Sequence, residues 1–574
     1  MRATPTQRMN TLTCLSFSSL LFSSLTLTNA ALWPIPRQLS TGDSPLRLSN
    51  SFSISASFDS PPADLSDAIA RTSELLKNDK LDPLTVDHGA ALAKNASSAP
   101  ELTDLVLSLA DGKTAQNISD EAIKPVEERD EGYTLSISED GGEAKIQANS
   151  TLGLFRGLTT FGQLWYTVDD TVFAYGFPLE ITDSPAFPYR GFMLDTARNY
   201  FPVSDIQRTL DAMSWVKLNQ FHWHIVDSQS FPLQVAAFPE LSGSAAYSSA
   251  SIYSAQDVSD IISYAAARGI DVLVEVDTPG HTSAIASSHP EHIACAEKTP
   301  WATYANEPPA GQLRFASNST TNFTVSLLSE VAKLFPSSLF STGGDEINVP
   351  CYDEDEETQQ ILNQTGKSLE EALDAFTGAS HSAIRELGKT PVVWEEMVLS
   401  HNVTLGNDTI IMVWISSEDV LGVAEAGFRI VHAASDYFYL DCGGGGWVGA
   451  NIAGNSWCDP FKTWQKSYSF DPFANLTSSQ QSLILGGESL LWTEQSSPEN
   501  LDPIVWPRAA SAAEIYWTGA TLPNGSVRND VEGVRAALPR LHDIAYRLRK
   551  RGIKAIALQP EWCARRPGEC DIDA

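Results

Sequence analysis

The sequence predicts an α/β protein: a (β/α)8 barrel of the TIM type preceded by a smaller α+β domain. Over residues 187–574, short apolar stretches alternate with amphipathic helical stretches, eight candidate strands can be counted, and the strands end in charged or aromatic residues. Eight such alternations suit a closed barrel better than an open doubly wound sheet, and barrels of this kind gather their active residues at the C-terminal strand ends. No glycine-rich dinucleotide fingerprint and no P-loop occurs to favour the open sheet.

From the N-terminus, residues 1–30 read as a secretory signal. Arg2 and Arg8 precede an apolar, serine-rich core over 12–27, and Thr28-Asn29-Ala30 offers small residues before a cut after Ala30. That core is too short and too serine-rich to span a bilayer comfortably, and no later segment is a candidate, so no membrane anchor is expected. The expected location is extracellular, with a vacuolar or lysosome-like compartment as the alternative. The chain carries 38 basic against 71 acidic residues, a formal charge of −33, which excludes nucleic acid as a partner.

Seven cysteines include Cys14 in the leader; the remaining six are Cys295, Cys351, Cys442, Cys458, Cys563 and Cys570. An even number in a secreted chain implies three disulfides among fifteen connectivities, with sequence neighbours such as Cys563 and Cys570 the simplest pair. Ten Asn-x-Ser/Thr acceptors point to the same compartment: Asn95, Asn117, Asn149, Asn318, Asn322, Asn363, Asn402, Asn407, Asn475 and Asn524.

Residues 31–186 form the N-terminal domain. Strand-like alternation occurs at 46–49, 133–137 and 144–148, the last two joined by a Glu-Asp-Gly-Gly turn, and an apolar helical pattern runs over 152–165. The stretch of about 60–130 is poor in aromatics and rich in Ser, Ala, Asp and Lys, with a helical pattern near 65–76. It reads as an insertion or processed propeptide outside the core, with an ordinary surface excursion as the alternative.

In the barrel the candidate strands are 191–196, 220–226, 271–277, 339–344, 391–395, 409–415, 429–439 and 482–491. Helical patterns between them include 203–218, 259–268, 367–387 and 505–516. Strand 1 follows Arg190 and ends Asp195-Thr196-Ala197-Arg198-Asn199; strand 2 carries His222, His224 and Asp227; strand 3 ends at Glu275, Asp277 and His281; strand 4 ends Gly343-Gly344-Asp345-Glu346. Strands 5 to 8 add Trp394 with Glu395 and Glu396, then Trp414, then Tyr439 with Asp441, then Trp492 with Glu494.

Adjacent carboxylates at 345 and 346 resist ionising together, which suits acid catalysis. Carboxylates, an arginine and indole faces on one rim suit a pyranose ring, whose hydroxyls pair with carboxylates while its apolar face stacks on aromatics. For any single tryptophan the alternative is core packing. His222 and His224 point the same way along a strand, so a metal pair is one reading; histidines satisfied within the barrel are the favoured one, and no metal or cofactor is expected.

Several runs together carry a resemblance: Tyr189 to Arg198, Phe221 to Asp227, Glu275 to His281, Gly343 to Glu346, Tyr439-Leu440-Asp441 and Gly486 to Trp492. In this order the chain resembles the β-N-acetylhexosaminidases of glycoside hydrolase family 20, and the small domain resembles theirs too. The resemblance implies an exo-enzyme that removes terminal β-linked N-acetylglucosamine and N-acetylgalactosamine from chitooligosaccharides or other N-acetylhexosaminides with retention. It also implies that the substrate's own acetamide oxygen is the nucleophile.

On that resemblance Glu346 is the general acid/base, and Asp345, kept ionised, steadies the acetamide nitrogen and helps keep Glu346 protonated. Tyr439 holds the acetamide oxygen, while Trp394, Trp414 and Trp492 wall the pocket. Arg190 binds the 3- and 4-hydroxyls, the alternative being a buried ion pair with a site carboxylate; Asp441 and Glu494 serve the 4- and 6-hydroxyl side. Asp227 and His281 support Glu346, with Asp195, Arg198, His222, His224 and Asp277 behind them. Thr493 and Asn199 depart from residues common in the family. The likeness to secreted fungal members further implies disulfides Cys295–Cys351, Cys442–Cys458 and Cys563–Cys570 and a homodimer, and leaves open whether 60–130 is cut and retained as a propeptide. The rival readings are an endo-acting chitinase and a catalytically inactive sugar-binding or storage protein.

Overall fold

The computed structural model describes residues 31–572; the leader at 1–30, with Cys14, lies outside the described residues. The N-terminal domain is a six-stranded sheet of β1 (Gln38–Ala56), β2 (Glu101–Leu109), β3 (Tyr133–Ile137), β4 (Gly142–Ala148), β5 (Tyr166–Val168) and β6 (Thr171–Asp183). Their order is β1-β2-β4-β3-β6-β5, and the long β1 pairs β6 through its first half and β2 through its second. The β3–β4 hairpin turns at Gly141 and Gly142, both at positive φ, as its Asp-Gly-Gly sequence predicts. A helix over Thr151–Gly162, whose Ser150 side chain accepts the Gly153 N–H, buries Leu152, Leu154, Leu158 and Phe161 in the same core.

The 60–130 stretch corrects one expectation. It supplies the helix Ala63–Asn78 and β2, which runs parallel between β1 and β4 with Leu102, Leu105 and Leu107 wholly buried. The region's bulk composition hides this because its polar residues face outward while a few leucines at inward positions do the packing.

The barrel follows from β7 (Tyr189–Asp195), β8 (Gln220–Val226) and β9 (Asp271–Val276). After a small ribbon of β10 (Ile293–Ala294) and β11 (Gln312–Leu313) come β12 (Leu339–Ser341), β13 (Thr390–Trp394), β14 (Ile410–Val413), β15 (Arg429–His432) and β16 (Ile484–Leu491). The barrel strands close as β12-β13-β14-β15-β16-β7-β8-β9, parallel throughout. Each predicted strand is present, though the seventh stops at His432. A one-turn helix, Ser435–Phe438, intervenes and returns Tyr439 to the barrel rim in a single bridge to Leu490. Predicted helices appear at Val203–Trp215, Ala255–Ala266, Leu369–Glu386 and Arg508–Thr518. Capping boxes at Ser254/Asp257 and Ser368/Glu371 start the second and third.

The small domain closes the N-terminal end of the barrel through buried charge. Glu131 Oε2 accepts from Arg156 Nε at 2.7 Å and from Arg190 Nη2 at 2.6 Å, and Oε1 accepts from Asn219 Nδ2 at 3.0 Å. Arg129 reaches Asp271 at 2.8 Å, and Lys217 meets Asp183 at 3.1 Å over the ring of Trp517. Against the cost of burial, the two guanidinium groups hold Glu131 down at about 2.

Cys295–Cys351, Cys442–Cys458 and Cys563–Cys570 are bonded with the expected pairing. All ten sequon asparagines are exposed. Among the described residues no helix is long and apolar enough to cross a membrane.

Glu131→Gln should cost about 3–5 kcal/mol of stability, because Arg156 and Arg190 stay buried without their counter-charge; denaturant unfolding measures it. Since the folded-state value lies below the unfolded one of 4.5, the Glu131 contribution is full above pH 4.5 and fades as pH falls toward 2. The variant should therefore lose its deficit relative to the parent across that window.

Candidate active site

The fourth barrel strand runs straight into Thr342-Gly343-Gly344-Asp345-Glu346, and the two glycines have a steric reason. Gly343 has φ 67°, and a Cβ there would lie 1.9 Å from Asp277 Oδ1. The same Asp277 oxygen accepts the Gly344 N–H at 2.9 Å, so the carboxylate at the end of β9 both excludes a side chain and pins the turn. Beyond it Glu346 sits at φ 52°, and His281, on the loop after β9, at φ 53°. Left-handed backbone at residues other than glycine costs roughly 1–2 kcal/mol each, and both positions face the pocket.

His281 Nε2 lies 3.3 Å from Glu346 Oε2 and 3.7 Å from Asp345 Oδ2, and its Nδ1 lies 3.1 Å from Asp227 Oδ1. Burial pushes Asp345 well above the ordinary carboxylate range, and Asp277 beside it adds to the rise. Asp277 is itself raised by burial to about 7. Glu346 moves the other way: burial would raise it, but the hydrogen bond and charge of His281 bring it below its usual value. Burial is also overcome at His281, where the charges of Asp227 and Asp345 push the imidazole well above its usual value. These tendencies run opposite to the expected ionised Asp345 beside a protonated Glu346. Asp345 faces another carboxylate, whereas Glu346 faces a cation.

A cavity of about 620 Å³ opens above this pair. Trp414 and Tyr439 stack at 6.1 Å with ring planes 8° apart, Trp457 meets both edge-on, and Trp492 stands 6.3 Å from Tyr439. Trp394 is buried behind Trp492, at 6.3 Å, and against His222, at 5.9 Å, so it backs the wall rather than lining it. The Trp414 indole N–H donates to Glu396 at 2.8 Å and its backbone N–H to Glu395 at 2.9 Å, which fixes the ring. Asp441 and Glu494 line the cavity. Burial raises Asp441 to about 7 and lifts Glu494 well above the ordinary range.

Arg190 is not there. It is wholly buried at the start of β7, at the opposite end of the barrel, bonded to Glu131 and to the carbonyls of Lys217 and Phe187. Its alternative, a buried ion pair, is what the structure shows, though the partner is Glu131 rather than a site carboxylate. The arginine on the cavity wall is Arg198. Its guanidinium contacts Asp195 at 3.3 Å, Asp227 at 3.1 Å and Glu307 at 2.5 Å, and lies 4.9 Å from the centre of the Trp492 ring. The rule that barrel sites gather at C-terminal strand ends selects Arg198 and excludes Arg190. Glu307, Asn306 and Trp457, on long loops without periodicity, carried no such signal.

The two departures, Asn199 and Thr493, contact each other. Asn199 Nδ2 donates to the Thr493 carbonyl at 2.7 Å, and Thr493 donates from N and Oγ1 to Asp195 Oδ2 at 3.1 and 2.9 Å. This ties the end of β7 to the end of β16 and seats Arg198 beside Glu494. His222 and His224 have all four ring nitrogens facing carboxylate oxygens, so neither offers a free lone pair to a metal. Asp227, His281 and Glu307 approach metal-ligand spacing, but Arg198 already fills the cation's place between Asp227 and Glu307.

The arrangement can deliver a proton from Glu346 to a group held against indole faces while carboxylates and Arg198 grip its hydroxyls. Residues 187–520 match the model of the glycosyl hydrolase family 20 catalytic domain, and 32–164 match a beta-acetyl hexosaminidase like domain. The chain is 33% identical over 537 residues to a beta-hexosaminidase of Arthroderma benhamiae, covering 88% of this chain and 84% of the relative. It is 36% identical over 461 residues to a chitooligosaccharidolytic beta-N-acetylglucosaminidase of Bombyx mori, covering 77% and 75%. Among solved structures, the chitobiase of Flavobacterium johnsoniae superposes with a TM-score of 0.72 at 26% identity, over 92% of this chain and 74% of that one. With its own site geometry, both family models and these relatives in agreement, the chain belongs to glycosyl hydrolase family 20.

Proposed function

We propose that the protein is an exo-acting, retaining β-N-acetylhexosaminidase that removes terminal N-acetylglucosamine or N-acetylgalactosamine from chitooligosaccharides and related glycosides. The observation that carries this reading is Asp345 Oδ1, buried without a hydrogen-bond partner beside the aromatic box and next to the proton-bearing Glu346–His281 pair. An acetamide N–H is the donor that such an acceptor lacks. Arg198, Asp441 and Glu494 grouped on the same cavity support a closed end that takes a chain terminus, which disfavours the endo-acting chitinase. Retention of Asp345, Glu346 and Tyr439 disfavours an inactive binding or storage protein.

In the first step Glu346 gives its proton to the glycosidic oxygen as the C1–O bond breaks, and the acetamide oxygen closes on C1 to form an oxazolinium ion. Asp345 accepts the acetamide N–H and balances the positive nitrogen, while Tyr439 aligns the oxygen. In the second step Glu346 takes a proton from water, which attacks C1 and reopens the ring with net retention. Substrate binding favours these protonation states. An N–H donated to Asp345 stabilises its carboxylate, and a sugar that excludes water from Glu346 raises it. Asp227 and His281 orient and charge-balance Glu346.

Secretion with removal of 1–30, N-glycosylation at the exposed sequons and a homodimeric state belong to the same proposal. Should the chain be cut on either side of 60–130, β2 would hold the piece in the sheet.

Glu346→Gln should lower kcat by about 10²–10⁴-fold on an aryl N-acetylglucosaminide, and a near-parental rate would remove it as the acid. Asp345→Asn should cost a comparable factor, measured in the presence of EDTA to exclude metal dependence. Unchanged kinetics there would end the substrate-assisted account. The two arginines separate by readout: Arg198→Lys should cut kcat/KM about 10–100-fold, because the guanidinium fork on the cavity wall is lost. Arg190→Lys should lower the melting temperature and leave KM unchanged.

A further inference from the structure

The hydrogen-bonded chain that supports Glu346 does not end at Asp227. His224 Nε2 lies 2.7 Å from Asp227 Oδ2, and His224 Nδ1 lies 2.5 Å from Glu275 Oε1. His222 Nε2 lies 3.1 Å from Glu275 Oε2, and His222 Nδ1 lies 2.9 Å from Glu488 Oε1. The Tyr189 phenol closes the far end by donating to Glu488 Oε2 at 2.6 Å. Every one of these side chains is at or below 1% exposure, and they run inside the barrel from its N-terminal end to the catalytic pair.

We propose that His222, Glu275, His224 and Glu488 form a buried ladder of alternating charges that acts through Asp227 and His281 as a set of positioning residues, setting the pH at which Glu346 holds its proton. The proposal rests on the hexosaminidase reading for its consequence, not for its charge states.

Hydrogen-bond valence supplies the argument. An ionised carboxylate only accepts, so a ring with such an oxygen at each nitrogen donates from both and is an imidazolium. Glu275 receives both rings and also the Ser341 hydroxyl at 2.5 Å, and against burial the two imidazoles hold it well below the ordinary carboxylate range. The remaining neighbours agree. Asp227 also faces Arg198; Glu488 faces Tyr189, with the phenol of Tyr516 nearby; and His281 faces Asp345 and Glu346, with the Asp277 carboxyl close by. Trp394 lies against His222, and Trp492 stands edge-on to His224 at 4.8 Å, both without charge. The titration tendencies follow the geometry: despite burial, the paired carboxylates lift His222 to about 9 and His224 to about 10. Gly191 makes room for the ladder, because a Cβ there would fall 2.7 Å from Glu488 Cβ and 2.8 Å from its Oε2.

Signs alternate from Glu488 to His281, so an even number of opposite charges is buried with little net charge, and removing one leaves a potential felt at every other site. A unit charge at a separation of about 10 Å in a medium of effective dielectric about 20 moves a titration by roughly one pH unit. His224→Gln deletes one positive charge, makes the surroundings of Glu346 more negative and raises the proton affinity of the catalytic cluster. Both limbs of the pH profile of kcat/KM should therefore move to higher pH by roughly one unit. A histidine that only fills space would lower the melting temperature and leave the limbs where they are, and that result would overturn the proposal. The charge states are tested separately on the parent protein by neutron diffraction of deuterated crystals near pH 7. Deuterons on both nitrogens of His222 and of His224 are expected, and a single deuteron on either ring would overturn the ladder. That measurement decides the matter even if the variant does not fold or the protein acts on another substrate.

Discussion

A charge taken out of water must find its opposite within a few ångströms, and the interior of this barrel depends on meeting that demand. Carboxylates at 227, 275, 277, 345 and 488 are all buried, and the cations that answer them are His222, His224, His281 and Arg198. The excess falls at the top, where Asp277 and Asp345 lie together with only His281 near. There burial pushes both carboxyls above the ordinary range. The catalytic end is thus the place where the pairing of charges runs short.

The opposite end answers the same demand with direct ion pairs. Glu131, Arg156, Arg190, Arg129, Asp271, Asp183 and Lys217 come from both domains and pair at the floor of the barrel, with Glu131 shared by two arginines. The small domain therefore matters as a source of counter-charge as well as a cover. Glu131 in the loop before β3 and Asp183 at the end of β6 let Arg190 and Lys217 stay buried.

Much of this was legible from local pattern. Eight apolar runs marked eight strands because both faces of a parallel barrel strand are covered, which leaves a continuous hydrophobic signal. Residues at the ends of those runs could be assigned to the site by a rule of architecture, as Asp345, Glu346, Tyr439 and Trp492 show. Arg190 was misplaced where a motif was followed over that rule, since it begins its strand rather than ending it. Composition alone concealed β2, because three inward leucines weigh little in a polar stretch.

The sequence by itself determined the strand and helix alternation, the carboxylate pair and its glycines, and the family, because these depend on neighbours in the chain. The fold settles which arginine faces the cavity, that Glu307 and Trp457 join it, that Asn199 and Thr493 meet, and which charged groups surround Asp345 and Glu346. Those outcomes depend on distances between residues far apart in sequence and on how much water each group has lost, and neither quantity is written in local order.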